Sequence, residues 1–273
     1  MSVKLAEPLI VWADHSRIAA FGEQTLAAID VESRKLLRDP SELLSRAVQP
    51  VLWLLVFGQV FSRVRGIATG PVSYIEFMAP GVVAQSILFG AIFYGIAVIW
   101  ERDLGIVHKL LVSPAYRLSL VLGKALAAGT RGVAQAIIIY ILAVLMGVRL
   151  RISVPAILGV VLIVVLGSAT FSTFSLVIAC IVKTRERFMG IGQILTMPLF
   201  FASNAIYPLS LMPPWLHTVA LLNPLTYVVD ALRMLMLQHG TSTFGLGIDA
   251  LVVIASFLVL LAIAQWRYPT LAQ

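Results

Sequence analysis

Long apolar runs, separated by short segments that carry most of the charged residues, constrain the fold of this chain more than any other feature. Of its 273 residues, 60% are hydrophobic and only 12% are charged, whereas soluble domains carry about 25% charged residues. A helix of about 20 apolar residues crosses a bilayer, because it satisfies its own backbone hydrogen bonds. The sequence therefore predicts an all-α, polytopic membrane protein and excludes an ordinary soluble domain.

By this length we expect six transmembrane helices. They fall at residues 43–61, 77–100, 125–148, 154–182, 188–203 and 248–266. Residues 1–42 are then a cytoplasmic N-terminal segment, and residues 43–273 form the transmembrane domain.

The basic residues set the orientation, because Lys and Arg are enriched in cytoplasmic loops. With the N-terminus inside, the cytoplasmic side holds Lys4, Arg17, Arg34, Lys35, Arg38, Arg46, Arg102, Lys109, Arg117, Lys124, Lys183, Arg185, Arg187 and Arg267. The outer side holds only Arg63, Arg65, Arg149, Arg151 and Arg233. This bias predicts that both termini are cytoplasmic.

A further helix is expected before the first span. Leu26, Ile29 and Leu37 recur near helical spacing, opposite charged residues, and Arg38-Asp39-Pro40 should end the helix because proline disfavours its continuation. Such an amphipathic helix either lies in the membrane interface and supports the bundle or is a solvated helix without membrane contact.

The segment from Asn204 to Arg233 is apolar but too often interrupted to form one spanning helix. Each proline removes a backbone donor, and irregular backbone at membrane depth survives only against protein or a water-filled cavity. We therefore predict broken, partly re-entrant helices at the outer end of a transport path. The residues expected there are Asn204, Pro208, Pro213, Pro214, Trp215, Asn223, Pro224 and Tyr227.

Several side chains in or beside this segment carry narrower expectations. Trp215 and Tyr227 are amphipathic aromatics that would anchor at the membrane interface. Asp230 and Arg233, three residues apart on a helix, would form a surface ion pair. Three further candidates to line a pathway are Phe200, Phe201 and Asn204.

No catalytic, cofactor or metal motif is found in the sequence. Around Gly123-Lys124, the earlier glycine of a P-loop is replaced by Leu118 and the magnesium-binding hydroxyl by Ala125. The 4 histidines lack metal-ligand spacing. We therefore expect a transport subunit that is not an enzyme and binds no cofactor, and such a subunit needs either an energised partner or an ion gradient.

The loop after the second span is the candidate contact with such a partner. Apolar residues recur at helical spacing from Glu101 to Tyr116, and Pro114 should stop the helix. A short amphipathic helix here would either dock on a partner protein or lie on the inner leaflet. The candidate docking residues are Glu101, Arg102, Asp103, Leu104, Gly105, Val107, His108, Lys109 and Leu110.

Arg131 is the main basic residue inside a predicted span, since Arg46 lies at the cytoplasmic end of the first one. An intramembrane charge marks either a substrate site or a structural partner, and it either snorkels or faces a polar cavity. Ion-coupled carriers bury ionisable residues near the midplane. Because the spans contain no chain of buried Asp or Glu residues for a proton relay, an ion-coupled carrier is the less favoured alternative.

Three sequence elements resemble permease subunits of the type-2 ABC exporters, closest to the daunorubicin-resistance branch. They are the loop Glu101–Pro114 followed by Gly123-Lys124, the Ala79-Pro80-Gly81 motif, and Pro208 to Arg233. The last contains Pro-Leu, Met-Pro-x-Trp-Leu, Asn-Pro-Leu-Thr-Tyr and Asp-Ala-Leu-Arg in order. The resemblance extends from about Ile29 to Arg267, although Ile106 and His108 stand where Thr and an acidic residue are common.

The resemblance implies a functional organisation. The loop would be a coupling helix that docks in a groove of an ABC ATPase, and the proline-rich segment would close the outer end of the pathway. A second permease copy, identical or a sister, and two ATPase subunits that bind ATP and Mg²⁺ would complete an exporter of an amphipathic, drug-like or lipid-like substrate in a prokaryotic plasma membrane. The alternatives are export of a lipid-linked polysaccharide, as in a sister branch, and an ion-coupled carrier.

Overall fold

The computed structural model describes residues 17–38, 40–62, 72–112, 116–182 and 184–272. The helices are α1 (Arg17–Arg38), α2 (Pro40–Leu52), α3 (Gly58–Ser62), α4 (Tyr74–Asp103), α5 (Ile106–Val112), α6 (Arg117–Leu145), α7 (Val154–Ile181), α8 (Arg185–Phe201), α9 (Pro214–Leu222), α10 (Pro224–Met236) and α11 (Leu246–Arg267). A π-helical turn, Trp53–Phe57, joins α2 to α3. Predictions that concern Lys4, Asp39, Arg63, Arg65, Pro114 and Lys183 lie outside the described residues.

The all-α, membrane-spanning class is confirmed. Within the described ranges, four helices are long and apolar enough to cross a bilayer: Tyr74–Asp103, Arg117–Leu145, Val154–Ile181 and Leu246–Leu271. The pair α9 and α10, bent by 81°, would make a fifth crossing if counted as one span. The six-span count stays a prediction, because α8 and the interrupted run from α2 to α3 do not meet the same requirement.

Helix α7 lies at the centre of the bundle and contacts α4, α6, α10 and α11. Its buried middle is rich in small residues, which let helix backbones approach closely in a membrane. A Cβ atom added at Gly132 of α6 would lie 2.2 Å from Oγ of Ser168, and one at Gly95 of α4 would lie 2.2 Å from Oγ of Ser175. These contacts fix the spacing of the helices that surround the candidate sites.

The N-terminal helix α1 packs along α6. Oε1 of Gln24 accepts hydrogen bonds from the Tyr116 backbone N–H at 3.1 Å and from the Ser119 hydroxyl at 3.0 Å. A Cβ atom added at Gly123 would lie 2.5 Å from that of Ala28. Helix α1 therefore supports the bundle directly, while its depth in the membrane interface stays a prediction.

Candidate functional site

The loop after α4 is divided into two helical pieces. Helix α4 continues through Asp103, and α5 begins at Ile106. Between them Gly105 adopts φ +72°, a left-handed conformation that glycine tolerates and that ends a helix. The expectation that Glu101, Arg102 and Asp103 belong to the amphipathic loop is wrong, because they form the last turn of α4.

Helix α5 has one face against the bundle and one face uncovered by the described chain. Val107 is 0% exposed and belongs to a buried cluster with Val98 and Tyr268, against which Leu110 also packs. Leu104, by contrast, is 70% exposed. The exposed face of α5 consists of Ile106, His108, Lys109 and Val112, and the exposed Leu104 lies in the turn just before the helix.

The acidic residues beside α5 make contacts inside the chain. Glu101 forms an ion pair with Lys124 of α6. Asp103 accepts hydrogen bonds from the Arg102 guanidinium at 2.9 Å and from the Arg185 guanidinium of α8 at 2.8 Å. These pairs join the end of α4 to α6 and α8, a role that the loop's periodicity did not reveal.

Asn223 holds the break between α9 and α10. Its Nδ2 donates to the backbone carbonyls of Leu199 at 2.7 Å and Ala202 at 2.9 Å, both at the end of α8. Its Oδ1 accepts from the Leu225 N–H at 3.0 Å, which caps α10. Pro224 then occupies the first turn of α10, where no backbone donor is required. One amide side chain thus joins the end of α8 to the start of α10.

The other predicted residues of the broken segment take several positions. Pro208 precedes a short 3-10 turn, Leu209–Leu211, and the exposed Pro213 and Pro214 begin α9. Trp215 is exposed, so an interface role stays a prediction for it. Phe200 and Asn204 are buried, whereas Phe201 is exposed.

Tyr227 does not lie at the surface. Its side chain is buried in the main core, and its hydroxyl donates to the Leu221 carbonyl at 2.8 Å. The interface position expected for Tyr227 is therefore wrong, because the tyrosine braces α10 against the end of α9.

The broken segment also packs against α4. A Cβ atom added at Gly81 would lie 2.3 Å from the carbonyl oxygen of Ala205, so only glycine allows this approach. Nearby, the Tyr74 hydroxyl donates to the Ile206 carbonyl at 3.0 Å. The Ala79-Pro80-Gly81 motif therefore faces the segment that follows α8.

The expected surface pair of Asp230 and Arg233 is wrong. Asp230 is 0% exposed and Arg233 is 7% exposed, with a closest N–O distance of 3.8 Å. The Asp230 carboxylate accepts from the backbone N–H groups of Thr243 at 2.6 Å and Phe244 at 3.1 Å. Arg233 donates to the Asn204 carbonyl at 2.7 Å. The pair thus anchors the broken segment from within.

A second acid lies beside this pair, contrary to the expectation that the spans bury no connected Asp or Glu residues. Asp249, near the start of α11, is fully buried. The Ser242 hydroxyl lies 2.8 Å from Oδ2 of Asp230 and 3.0 Å from Oδ2 of Asp249. Because these acids are 19 positions apart in sequence, no local spacing signals their contact.

Arg131 lines a small cavity inside the bundle. Its guanidinium carbon lies 5.6 Å from the centre of the Tyr94 ring. Arg46, Ser86 and Gln135 line the same cavity. The two placements considered for this arginine, snorkelling and a polar cavity, both stay predictions.

The sequence model of a family described as ABC-2 type transporter matches residues 23–237. The ycf38 protein of Cyanophora paradoxa, named as a transport permease, is 29% identical over 215 residues, covering 77% of this chain and 73% of its own.

Two bacterial proteins are similar over comparable lengths. The daunorubicin resistance ABC transporter permease protein DrrB1 of Streptomyces coeruleorubidus is 24% identical over 205 residues, 75% of this chain and 71% of that protein. Nodulation protein J of Bradyrhizobium diazoefficiens is 27% identical over 229 residues, 83% of this chain and 86% of its own. The family match, residues 23–237, includes α5 and the broken segment.

Proposed function

The chain belongs to the ABC-2 type transporter family, and we propose that it is the membrane permease subunit of an ATP-driven exporter for an amphipathic, drug-like or lipid-like molecule. As a member of a permease family it is an integral membrane protein and not itself an ATPase. The similarity to DrrB1, a daunorubicin resistance permease by name, supports drug-like export. Two permease copies, with two separate ATPase subunits that bind ATP and Mg²⁺, would complete the transporter.

The division of α5 into a buried and an exposed face carries this proposal. Val107 fixes the helix to the bundle, while Leu104 and its exposed neighbours have no cover within the described chain. An amphipathic helix seated this way suits the groove of a partner protein. Glu101 and Asp103 then serve to hold the docking element in place rather than to contact the ATPase.

The same contacts suggest how ATP binding reaches the pathway. Closure of the ATPase dimer would displace α5, and Val107 and the Glu101–Lys124 pair would pass that displacement to α4 and α6. Asp103 and Arg185 would extend it to α8, which meets the broken segment at Asn223. The outer end of the pathway would open in response.

The test is affinity purification of the chain from its native membrane, with identification of co-purifying subunits and an ATPase assay. We expect a stoichiometric ATPase that is lost in Leu104→Glu, while membrane insertion and thermal stability are retained. The matched control is Ile152→Glu, an equally exposed apolar residue in the loop between α6 and α7, which should keep the ATPase. A chain that purifies alone, or a Leu104→Glu variant that keeps the ATPase, contradicts the proposal.

The buried acids favour one alternative, an ion-coupled carrier. Asp230 and Asp249 are ionisable groups buried in an apolar chain, and such groups mark ion pathways in gradient-driven carriers. Transport that persists after ATP depletion but collapses with an uncoupler would select this alternative.

A further inference from the structure

The residues that follow α11 fold back against the bundle. Helix α11 ends at Arg267, and Tyr268–Ala272 form a short 3-10 helix, which we call the α11 turn. Pro269 has no backbone N–H and cannot continue the hydrogen-bond pattern of α11. Most of α11 is exposed, yet Tyr268 is 0% exposed and Leu271 2% exposed. The chain is therefore packed more tightly in this turn than along the helix before it.

The α11 turn supports α5. Among the described elements, those that lie closest to α5 are α4, its neighbour in the chain, and the α11 turn. Tyr268 and Leu271 belong to the buried cluster that contains Val107 of α5. Leu110 and Leu111, also of α5, pack against the same cluster. The buried face of α5 thus rests on a segment that lies far along the chain.

The α11 turn is itself fixed to the central helix α7. The Thr270 hydroxyl lies 3.1 Å from the carbonyl oxygen of Cys180, near the end of α7, and 2.8 Å from that of Arg267. Leu176 of α7 lies in the same buried cluster as Tyr268. Because α7 is the centre of the bundle, the turn gives α5 a support that is anchored elsewhere.

Helix α5 is too short to set its own orientation. It has 7 residues, and isolated helices shorter than about 12–15 residues are marginal in water. Gly105, which joins it to α4, has a positive φ and no side chain to restrict rotation. The direction in which the exposed face of α5 points therefore depends on what its buried face packs against.

The contribution of Tyr268 comes from its ring and not from its hydroxyl. The hydroxyl is buried and has no hydrogen-bond partner within the described part of the chain. A buried hydroxyl without a partner costs free energy, whereas a buried aromatic ring contributes a large apolar contact area. Packing of the ring therefore explains why a tyrosine is stable at this position.

We propose that Tyr268 and Leu271 are positioning residues for the docking of the ATPase. The α11 turn holds α5 in the orientation in which its exposed face meets the partner. The same contact gives the ATPase a second route into the bundle, through α11, besides the route through α4 and α6. This assignment rests on the proposed function, since it concerns the partner that α5 binds.

The test uses the full chain in phosphatidylcholine nanodiscs and, as the probe, the fluorescently labelled ATPase that co-purifies with it. Tyr268→Ala should weaken binding, because the apparent affinity falls with the fraction of chains in which α5 is correctly placed. If a tenth of the chains remain correctly placed, the apparent Kd rises about tenfold. At saturating ATPase the rate of ATP hydrolysis should be unchanged, since the exposed face of α5 is intact.

Two further measurements make the test independent of one variant. Amide hydrogen exchange in residues 106–112 should be faster in Tyr268→Ala, while exchange in α10 stays unchanged. Leu271→Ala, a smaller truncation in the same cluster, should shift both the Kd and the exchange in the same direction. It replaces Tyr268→Ala if that variant does not fold.

Two control substitutions separate positioning from stability. Tyr268→Phe keeps the ring and removes the unpartnered hydroxyl, so binding should be kept and the thermal unfolding temperature should be unchanged or higher. Phe257→Ala truncates a buried ring of α11 in another cluster, which contains Ala125 and Ala169. It should lower the unfolding temperature but leave the Kd unchanged. Equal weakening of binding by Phe257→Ala and Tyr268→Ala overturns the proposal.

The remaining outcomes distinguish this inference from the proposed function. If Leu104→Glu abolishes ATPase binding while Tyr268→Ala and Leu271→Ala change neither binding nor exchange in α5, this inference fails and the proposed function stands. If exchange in α5 is faster but the Kd is unchanged, the turn does not position α5 for docking and the inference again fails. If no ATPase co-purifies with the unsubstituted chain, the proposed function fails and the docking role fails with it, whereas faster exchange in Tyr268→Ala still shows that the turn supports α5.

Discussion

The ion pair between Glu101 and Lys124 offers the sharpest test of how the loop after α4 is held. The lysine side chain is 9% exposed and the glutamate side chain 14% exposed. Removal of one partner from a buried pair costs about 3–5 kcal/mol, because the other charge is left without compensation. Since the glutamate keeps some contact with solvent, we expect a smaller loss of about 2–4 kcal/mol for Lys124→Met.

The double variant Glu101→Leu/Lys124→Met should cost less than the two single variants added together. With both charges gone, apolar side chains can fill the space, and replacement of a whole buried pair is often close to neutral. We therefore expect a coupling energy of at least about 1 kcal/mol between the two positions.

The assay is reversible unfolding in mixed micelles with increasing sodium dodecyl sulfate, followed by circular dichroism. Lys109→Met, on the exposed face of α5, is the matched control and should change the free energy of unfolding by less than about 0.5 kcal/mol. If the losses in the two single variants simply add up to the loss in the double variant, the reasoning is refuted, because the two side chains would then not be coupled and would not link α4 to α6.

Three further predictions concern the glycine contact of α1 and the broken segment. Gly123→Ala should lower the free energy of unfolding by about 1–3 kcal/mol through overpacking and should speed hydrogen exchange in α1. Gly190→Ala, which has open space around the added methyl group, should raise the free energy of unfolding by about 0.5–1 kcal/mol. Equal effects of the two substitutions would contradict this prediction. Asn223→Ala should lower the free energy of unfolding by about 2–4 kcal/mol, the sum of two hydrogen bonds and a helix cap, and Asn223→Ser should recover about 1 kcal/mol by restoring the cap. Asp230→Asn should lower the free energy of unfolding by about 3–5 kcal/mol because it leaves the buried Arg233 without its acidic partner. Asp249→Asn should lower it by less than about 1 kcal/mol, because the new amide can donate to the Ser242 hydroxyl. Thermal unfolding that ranks these two variants in the opposite order would refute the role given to Asp230.

The membrane helices were predictable because bilayer thickness fixes their length. Residues 154–182 were expected to form a span, and α7 is Val154–Ile181. The predicted spans at 77–100 and 248–266 likewise lie within α4 and α11. The third, 125–148, begins eight residues after the start of α6 and ends three residues after its end, because the polar start of α6 extends the helix beyond its apolar part.

Side-chain positions were harder to predict, because they depend on contacts between distant parts of the chain. Helical spacing pairs Asp230 with Arg233 but does not show that the loop at Thr243 buries them. The same limit applies to Val107, whose apolar character suits a docking face as well as a core. Glu101 meets Lys124 only because α4 and α6 pack side by side.

The attachment of α8 at both of its ends has a mechanical consequence. Arg185 is held by Asp103 at one end, and the carbonyls of Leu199 and Ala202 are held by Asn223 at the other. With 17 residues the helix is a strut of about 25 Å, so a tilt of about 5° moves its far end by about 2 Å. A movement of that size exceeds the range of a hydrogen bond. A small rotation of α8 about Arg185 is therefore enough to break the hydrogen bonds between Asn223 and the carbonyls of Leu199 and Ala202. The length of α8 thus converts a small movement at one end of the helix into the loss of specific contacts at the other.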